Sequence, residues 1–285
     1  MEVSMWTSFL AGITESPEET IEILGREGWP QAELCSSHAQ VLLERGDPEK
    51  VGAEYARMAK SNGVGVTQGH LWLQSDIVEL DRAGKLDEQM TPWLDLFLAV
   101  GIRSGVLHPG GDVLIANGAS HIELRDARCA ALAKLADHVR GTELVICIEN
   151  IPNLPTAADV LDIIESVGSE NMGVCLDTGH LHLVRGASQS AFIRAVGDKL
   201  KALHIADNDG TCDQHRIPLF DGFPPFPRRG IDWRDVMQAL AENGYDGPFS
   251  FEIPGEYTCN RSLLLAKLRY VRDIGSMMID GTAFS

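Results

Sequence analysis

The stretch Asn171–Leu183, NMGVCLDTGHLHL, decides how the rest of the chain is read. Its apolar residues Met172, Val174 and Leu176 mark a short buried strand, which stops on Asp177, Thr178, Gly179 and His180. A carboxylate and an imidazole at the end of a buried strand are either an ordinary exit into a loop or ligands needed at its mouth. The rest of the sequence has to choose between these.

The same texture recurs along the whole chain. Eight runs read as strands: VSMWTSFLAG, QAELCSSH, GVGVTQGHL, SGVLHPGG, LVICIEN, MGVCLDTGH, LKALHIAD and PFSFEIPGE. A helical pattern follows each, starting near Pro17, Asp47, Asp87, Ser120, Thr156, Ser188, Asp232 and Asn260. Several open on N-cap residue types or an early proline, as in ESPEET and GDPEK. Eight βα units in 285 residues predict one α/β domain over residues 1–285, folded as a (β/α)8 TIM barrel. The competing arrangement, a doubly wound open sheet, usually carries a glycine-rich phosphate loop after its first strand. FLAGITESPEET is not such a loop, and ANGAS is too short to be one.

Bulk composition narrows the function. At 44% hydrophobic residues the chain can build a sizeable core without disulfides or structural metals. The six cysteines include no C-x-x-C pair, which argues against a cysteine zinc site and for small reduced core residues in a cytoplasmic protein. No stretch approaches the roughly 18 apolar residues of a membrane span, and MEVSMWTSFLAG lacks the basic start of a signal peptide. A net charge of −17 argues against nucleic acid as a partner.

The strand ends carry the chemistry. Strands five to eight finish on Glu149 in ICIEN, Asp177 in VCLDTGH, His204 in ALHIADND and Glu252 in FSFEIPGE. In a barrel all four face the C-terminal mouth, where such enzymes hold their sites. A glutamate in the otherwise apolar FSFEIP is costly to bury unless it is paired or bound to metal. Three carboxylates and one imidazole suit a single divalent cation, Mn²⁺, Mg²⁺, Co²⁺ or Zn²⁺, with positions left for substrate. No organic cofactor motif accompanies them. A second layer falls on the same face: His70, His108, His180, Asp213 and His215. These residues are expected to touch substrate, to orient the ligands or to hold further metal. For each one the competing reading is a hydrogen-bonded structural residue.

The motifs HPGG, ICIEN, GVCLDTGH, LHIADNDGTCDQH and GIDWRDVMQALAENGYDGPFSFE resemble the xylose isomerase-like TIM barrels from about strand three to the last helix. That superfamily includes sugar isomerases and epimerases and the family 2 AP endonucleases. Its epimerase-type members hold one divalent metal with Glu, Asp, His and Glu, which by motif are Glu149, Asp177, His204 and Glu252 here. The resemblance implies that Glu149 and Glu252 are also the acid/base pair. A metal polarises the carbonyl of a sugar or polyol derivative, one carboxylate removes the adjacent proton, and the other returns one. The AP endonuclease branch uses three zincs and nine ligands, and the types of all nine have counterparts at His70, His108, Glu149, Asp177, His180, His204, Asp213, His215 and Glu252. A zinc-dependent phosphoesterase is therefore the alternative function, and an inosose dehydratase-like lyase shares the scaffold.

The sequence also departs from the sugar branch. Ketohexose epimerases carry an arginine soon after the strand-seven histidine, whereas here HIADNDGTCDQHR displaces it to Arg216. The catalytic lysine of true xylose isomerases has no counterpart in ICIENIPN. The loop HRIPLFDGFPPFPRRG reads as a lid, a rigid connection or a homo-oligomer contact, and its Arg228 and Arg229 as a solvated turn. The expected protein is a metal-dependent sugar isomerase or epimerase with a small carbohydrate-like substrate.

Overall fold

All eight apolar runs become parallel strands in the computed structural model, which describes residues 1–219 and 230–284. They are β1 (Val3–Trp6), β2 (Gln31–Leu34), β3 (Gly65–His70), β4 (Ser104–Leu107), β5 (Val145–Glu149), β6 (Met172–Asp177), β7 (Leu200–His204) and β8 (Phe249–Phe251). Their order around one sheet is β7-β6-β5-β4-β3-β2-β1-β8. A parallel bridge between Ile205 and Phe251 brings the two ends together. There the Ile205 N–H donates to the Ser250 carbonyl at 2.8 Å, and the Glu252 N–H donates to the Ile205 carbonyl at 3.2 Å. The result is the expected (β/α)8 barrel.

The surrounding helices are α1 (Pro17–Arg26), α2 (Ser36–Leu43), α3 (Pro48–Ser61), α4 (Ile77–Arg82), α5 (Leu86–Val100), α6 (Asp112–Ala116), α7 (His121–His138), α8 (Ala157–Val167), α9 (Thr178–His182), α10 (Gln189–Val196), α11 (Trp233–Asn243) and α12 (Arg261–Ile279). The N-cap residue types do what their chemistry predicts. Ser16, Asp47, Thr156, Ser188, Asp232 and Asn260 each accept a backbone N–H of the first turn, and Ser120 forms a capping box with Glu123.

Three of the runs read as strands turn helical before they end, the second of them at Ser36, where α2 begins. The first strand stops at Trp6, and Thr7–Leu10 coil into a 3-10 turn. The Thr7 hydroxyl there takes the Cys35 N–H at 3.0 Å, and Phe9 and Leu10 sink into the core. The sixth strand stops at Asp177, and His180, the last residue of that run, lies in the short helix α9, because the Asp177 carboxylate caps that helix through the His180 N–H at 2.6 Å.

Because side chains alternate along a strand, residues two apart share a face. The barrel interior below the mouth therefore has two halves. Val106, Cys147, Cys175 and Ala202 form a small apolar cluster on β4 to β7. Ser4, Glu33, Gln68 and Ser250, all fully buried, bring polar groups from β1, β2, β3 and β8. The larger core, rich in Leu, Ile, Val and Phe, packs strands and helices together. Among the described residues no helix is long and apolar enough to cross a membrane.

Candidate active site

Glu149, Asp177 and His204 are the last residues of β5, β6 and β7, and Glu252 directly follows β8. Parallel register sets them side by side: Glu149 pairs with Cys175, and Asp177 with His204. Their exposures are 1%, 0%, 0% and 7%. Each offers one ligand atom, and these four atoms lie within 4.8 Å of one another.

Buried polar atoms normally find partners, so atoms left without one are informative. Glu149 Oε2, Asp177 Oδ2 and His204 Nδ1 are buried and have no hydrogen-bond partner. All three point to a need for a cation. The other atoms of the same side chains are held in place. Asp177 Oδ1 caps α9, and the Asp177 N–H and carbonyl are clamped by the Asn150 amide at 2.8 and 3.0 Å. His204 Nε2 lies 2.8 Å from Glu33 Oε1. The donor set and its orphaned atoms thus fit a divalent cation, held by Glu149, Asp177, His204 and Glu252.

The second layer closes around the same centre. The His70 Nδ1–H donates to the Leu71 carbonyl at 2.7 Å, which leaves Nε2 as an unpaired acceptor 3.5 Å from Glu149 Oε2. His108 Nε2 lies 3.2 Å from the same oxygen. His70, His108 and Glu149 form a second group able to hold a cation, sharing Glu149 with the first. The HPGG loop carrying His108 is fixed by Asp76, whose carboxylate accepts the N–H groups of Gly111 at 2.8 Å and Asp112 at 3.0 Å while capping α4. Gly110 and Gly111 both have positive φ, and a side chain on Gly111 would overlap Leu124.

His180, Asp213 and His215 form an arc along one side. His180 Nδ1 is 3.1 Å from both Glu149 Oε1 and the Asn150 carbonyl, and its Nε2 is 3.3 Å from Asp213 Oδ2. His215 donates to the Glu252 carbonyl at 2.6 Å and to Asp213 Oδ2 at 3.0 Å. It does so from a backbone φ of 44°, unusual for a residue with a side chain. All nine residues singled out by sequence are therefore gathered at one mouth.

The electrostatics follow from these contacts. Burial would lower the His180 value, but Asp177, Asp213 and Glu149 outweigh it and push it up to about 12. His215 rises to about 9 because Asp213, Glu252 and Asp177 outweigh its burial. Burial alone would raise Glu149, yet His204, His108 and His180 hold it well below the usual carboxylate range. Glu252 goes the other way. Burial, with the neighbouring Glu149 and Asp177 carboxylates, lifts it to about 8 despite His204.

Residues 11–274 match the family described as xylose isomerase-like TIM barrel. The chain belongs to that family. Among relatives, it is 26% identical over 204 residues to the D-psicose 3-epimerase of Enterocloster bolteae, covering 68% of this chain and 62% of that one. It is 31% identical over 128 residues to the L-ribulose 3-epimerase of Mesorhizobium japonicum, covering 43% and 38%. The first curated relatives, from Sinorhizobium fredii and Methanocaldococcus jannaschii, are spanned over only 25% and 49% of their length. The crystal structure of a D-psicose 3-epimerase in the presence of D-fructose superposes with a TM-score of 0.78 over 98% of this chain and 99% of that one, at 18% identity. At that identity the likeness concerns the fold of this xylose isomerase-like barrel.

Three supports of the site are not among the residues the sequence singled out: Glu33, Asn150 and Asp76. Glu33 had a legible signal, since an acid in QAEL is as costly to bury as the one in FSFEIP. Asn150 and Asp76 act through backbone groups and leave no such signal. The Arg216 backbone pairs with Asp207, and its guanidinium lies 3.4 Å from Asp209. The proline-rich loop's residues 220–229, including Arg228 and Arg229, lie outside the described residues.

Proposed function

We propose that this chain is a divalent-metal-dependent sugar epimerase, acting on the carbon beside a ketose carbonyl through Glu149 and Glu252. The observation that carries the reading is the pair itself: two buried glutamates, one ending β5 and one just beyond β8, whose carboxylates lie with Asp177 and His204 in one group able to hold a cation. Two carboxylates beside one bound carbohydrate can serve as base and acid in turn. When bound, a divalent cation supplies polarisation of the carbonyl and its neighbouring hydroxyl.

Glu149, kept ionised by the imidazoles around it, takes the proton from the substrate carbon. The electron pair of that C–H bond moves into the carbonyl system to give an enediolate. Glu252 delivers a proton to the opposite face, and the product differs at one stereocentre. His180 and His215 hold cationic N–H groups near the two carboxylates, and Asp213 orients both rings. The named activities of the epimerase relatives support a ketose or related carbohydrate substrate. Mn²⁺, Mg²⁺, Co²⁺ and Zn²⁺ all suit the donors. Six unpaired cysteines are in keeping with a cytoplasmic protein. The phosphoesterase and lyase alternatives find no support among the relatives named above.

Glu149→Gln and Glu252→Gln each preserve shape and remove a proton-transfer group, so each should lower kcat about 10²–10⁴-fold on ketoses. The parent enzyme in D₂O should place deuterium on the epimerised carbon. A folded double variant that keeps metal and near-normal epimerisation overturns the reading.

A further inference from the structure

The fully buried Glu33 lies behind the metal group rather than in it. It sits in the middle of β2, across the barrel axis from the strands that hold the ligands. Oε1 takes His204 Nε2 at 2.8 Å. Oε2 takes the Gln68 amide at 2.7 Å and the Ser250 hydroxyl at 2.6 Å. The Gln68 amide also donates to the Leu203 carbonyl at 3.0 Å, next to His204. Every contact of the Glu33 carboxylate is therefore with a donor, and the donors approach from β3, β7 and β8.

This arrangement has one consequence for the imidazole. A carboxylate that only accepts fixes the proton of His204 on Nε2. Nδ1 is then the ring nitrogen left for a cation; it faces Glu149 Oε2 at 3.4 Å and Glu252 Oε2 at 3.2 Å and has no hydrogen-bond partner. We infer that Glu33 is a positioning residue for the cation: it fixes the His204 tautomer and ring plane from inside the barrel and raises the basicity of Nδ1. The inference rests on the metal group of the proposed function, not on the substrate.

Glutamine is the informative replacement. It has the shape of Glu33 but one donor end. If that end faces Gln68, two amide donors oppose each other. If it faces His204, the imidazole must move its proton to Nδ1 and close the metal position. The full-length protein, stripped of metal, is titrated with Co²⁺ while its visible absorption and calorimetric heat are followed. Glu33→Gln should bind about 10–100-fold more weakly than the parent, the range typical for loss of such a partner. In the Zn²⁺-loaded parent, NMR should show a low-field exchangeable proton on His204 Nε2, which moves upfield in Glu33→Gln.

A variant with lower metal-free stability but unchanged Co²⁺ affinity would make Glu33 a mere clip between strands and overturn the inference, leaving the metal site intact. A parent that binds no Co²⁺ would overturn both. Should Glu33→Gln fail to fold, Ser250→Ala removes one anchor of Glu33 and should cost a few-fold in affinity. Unchanged affinity in that variant, or no low-field Nε2 proton in the Zn²⁺-loaded parent, would then be decisive against the inference.

Discussion

Neutralising Glu252 should make the metal-free protein more stable while damaging the site it serves. The Glu252 carboxyl is pushed from 4.5 to about 8 by burial and by the carboxylates of Glu149 and Asp177. In the unfolded chain it ionises near 4.5, whereas in the fold it keeps its proton until about 8. Above pH 4.5 the unfolded state therefore gains ionisation that the folded state refuses, and stability falls as pH rises until about 8. At about 1.4 kcal/mol per pH unit, the interval from 4.5 to 7 is worth about 3 kcal/mol. Glu252→Gln removes that cost. For a chain of this length, 3 kcal/mol corresponds to about 6 °C in Tm. The assay is thermal unfolding of chelator-treated parent and variant at pH 5, 7 and 8. The variant's advantage should be small at pH 5 and grow toward pH 8. Saturating Mn²⁺ should narrow or reverse it, because a cation at 100 times its Kd adds about 2.7 kcal/mol to whichever protein binds it. A metal-free variant no more stable than the parent at pH 8, or an advantage that does not shrink toward pH 5, would refute the argument.

Other outcomes follow from the same structure. Asp177→Asn should keep the cap on α9, since an amide oxygen also accepts the His180 N–H, yet bind Mn²⁺ more weakly, as calorimetry would show. His38 is buried, its Nδ1 has no partner, and burial lowers it to about 4. The unfolded chain takes up that proton first, so stability should fall by about 3 kcal/mol as pH drops from 6.5 to 4, and His38→Leu should flatten this part of a urea-denaturation profile. Asp76→Ala removes a helix cap and the clamp on the HPGG loop together, and should cost about 1–3 kcal/mol in urea denaturation. Metal analysis of the purified chain should find one tightly bound ion rather than three.

Much of this was legible in the sequence because buried charge is conspicuous. Glu149, Asp177, His204 and Glu252 each end an apolar strand, and parallel pairing converts that common position into a common place. Eight helices were legible from their caps and periodicity. The short helices α2, α4, α6 and α9 were not, since five to eight residues carry little periodic signal; α10 is as short as α2 but opens on the capping Ser188, whereas α2 follows Cys35, which makes no side-chain cap. His180 shows the limit most clearly. Its residue type and its spacing from Asp177 suggested a role at the mouth, but that the same carboxylate would cap its helix depends on which Asp177 oxygen turns inward. The register shifts between β2 and β3 and between β6 and β7 follow from packing around the closed barrel, and no local residue pattern announces them.

The nine residues that match a three-zinc ligand set do not all present a free lone pair. Buried His70 Nε2 and His204 Nδ1 have no hydrogen-bond partner. His180 meets the Asn150 carbonyl and Glu149 on one side and Asp213 on the other, and His215 is held between the Glu252 carbonyl and Asp213. Both nitrogens of each ring therefore face acceptors, which favours the imidazolium, and both residues are raised above the ordinary histidine value. An imidazolium repels a cation. To ligate one, His180 and His215 would each have to lose a proton and give up contacts within the arc. At Glu149, Asp177, His204 and Glu252 the balance differs: the neighbouring carboxylates raise His204 too, but its Nδ1 has no hydrogen bond to give up, and a cation there relieves the mutual repulsion of three carboxylates. One cation at that group, flanked by two cationic rings, satisfies the charges with the least rearrangement.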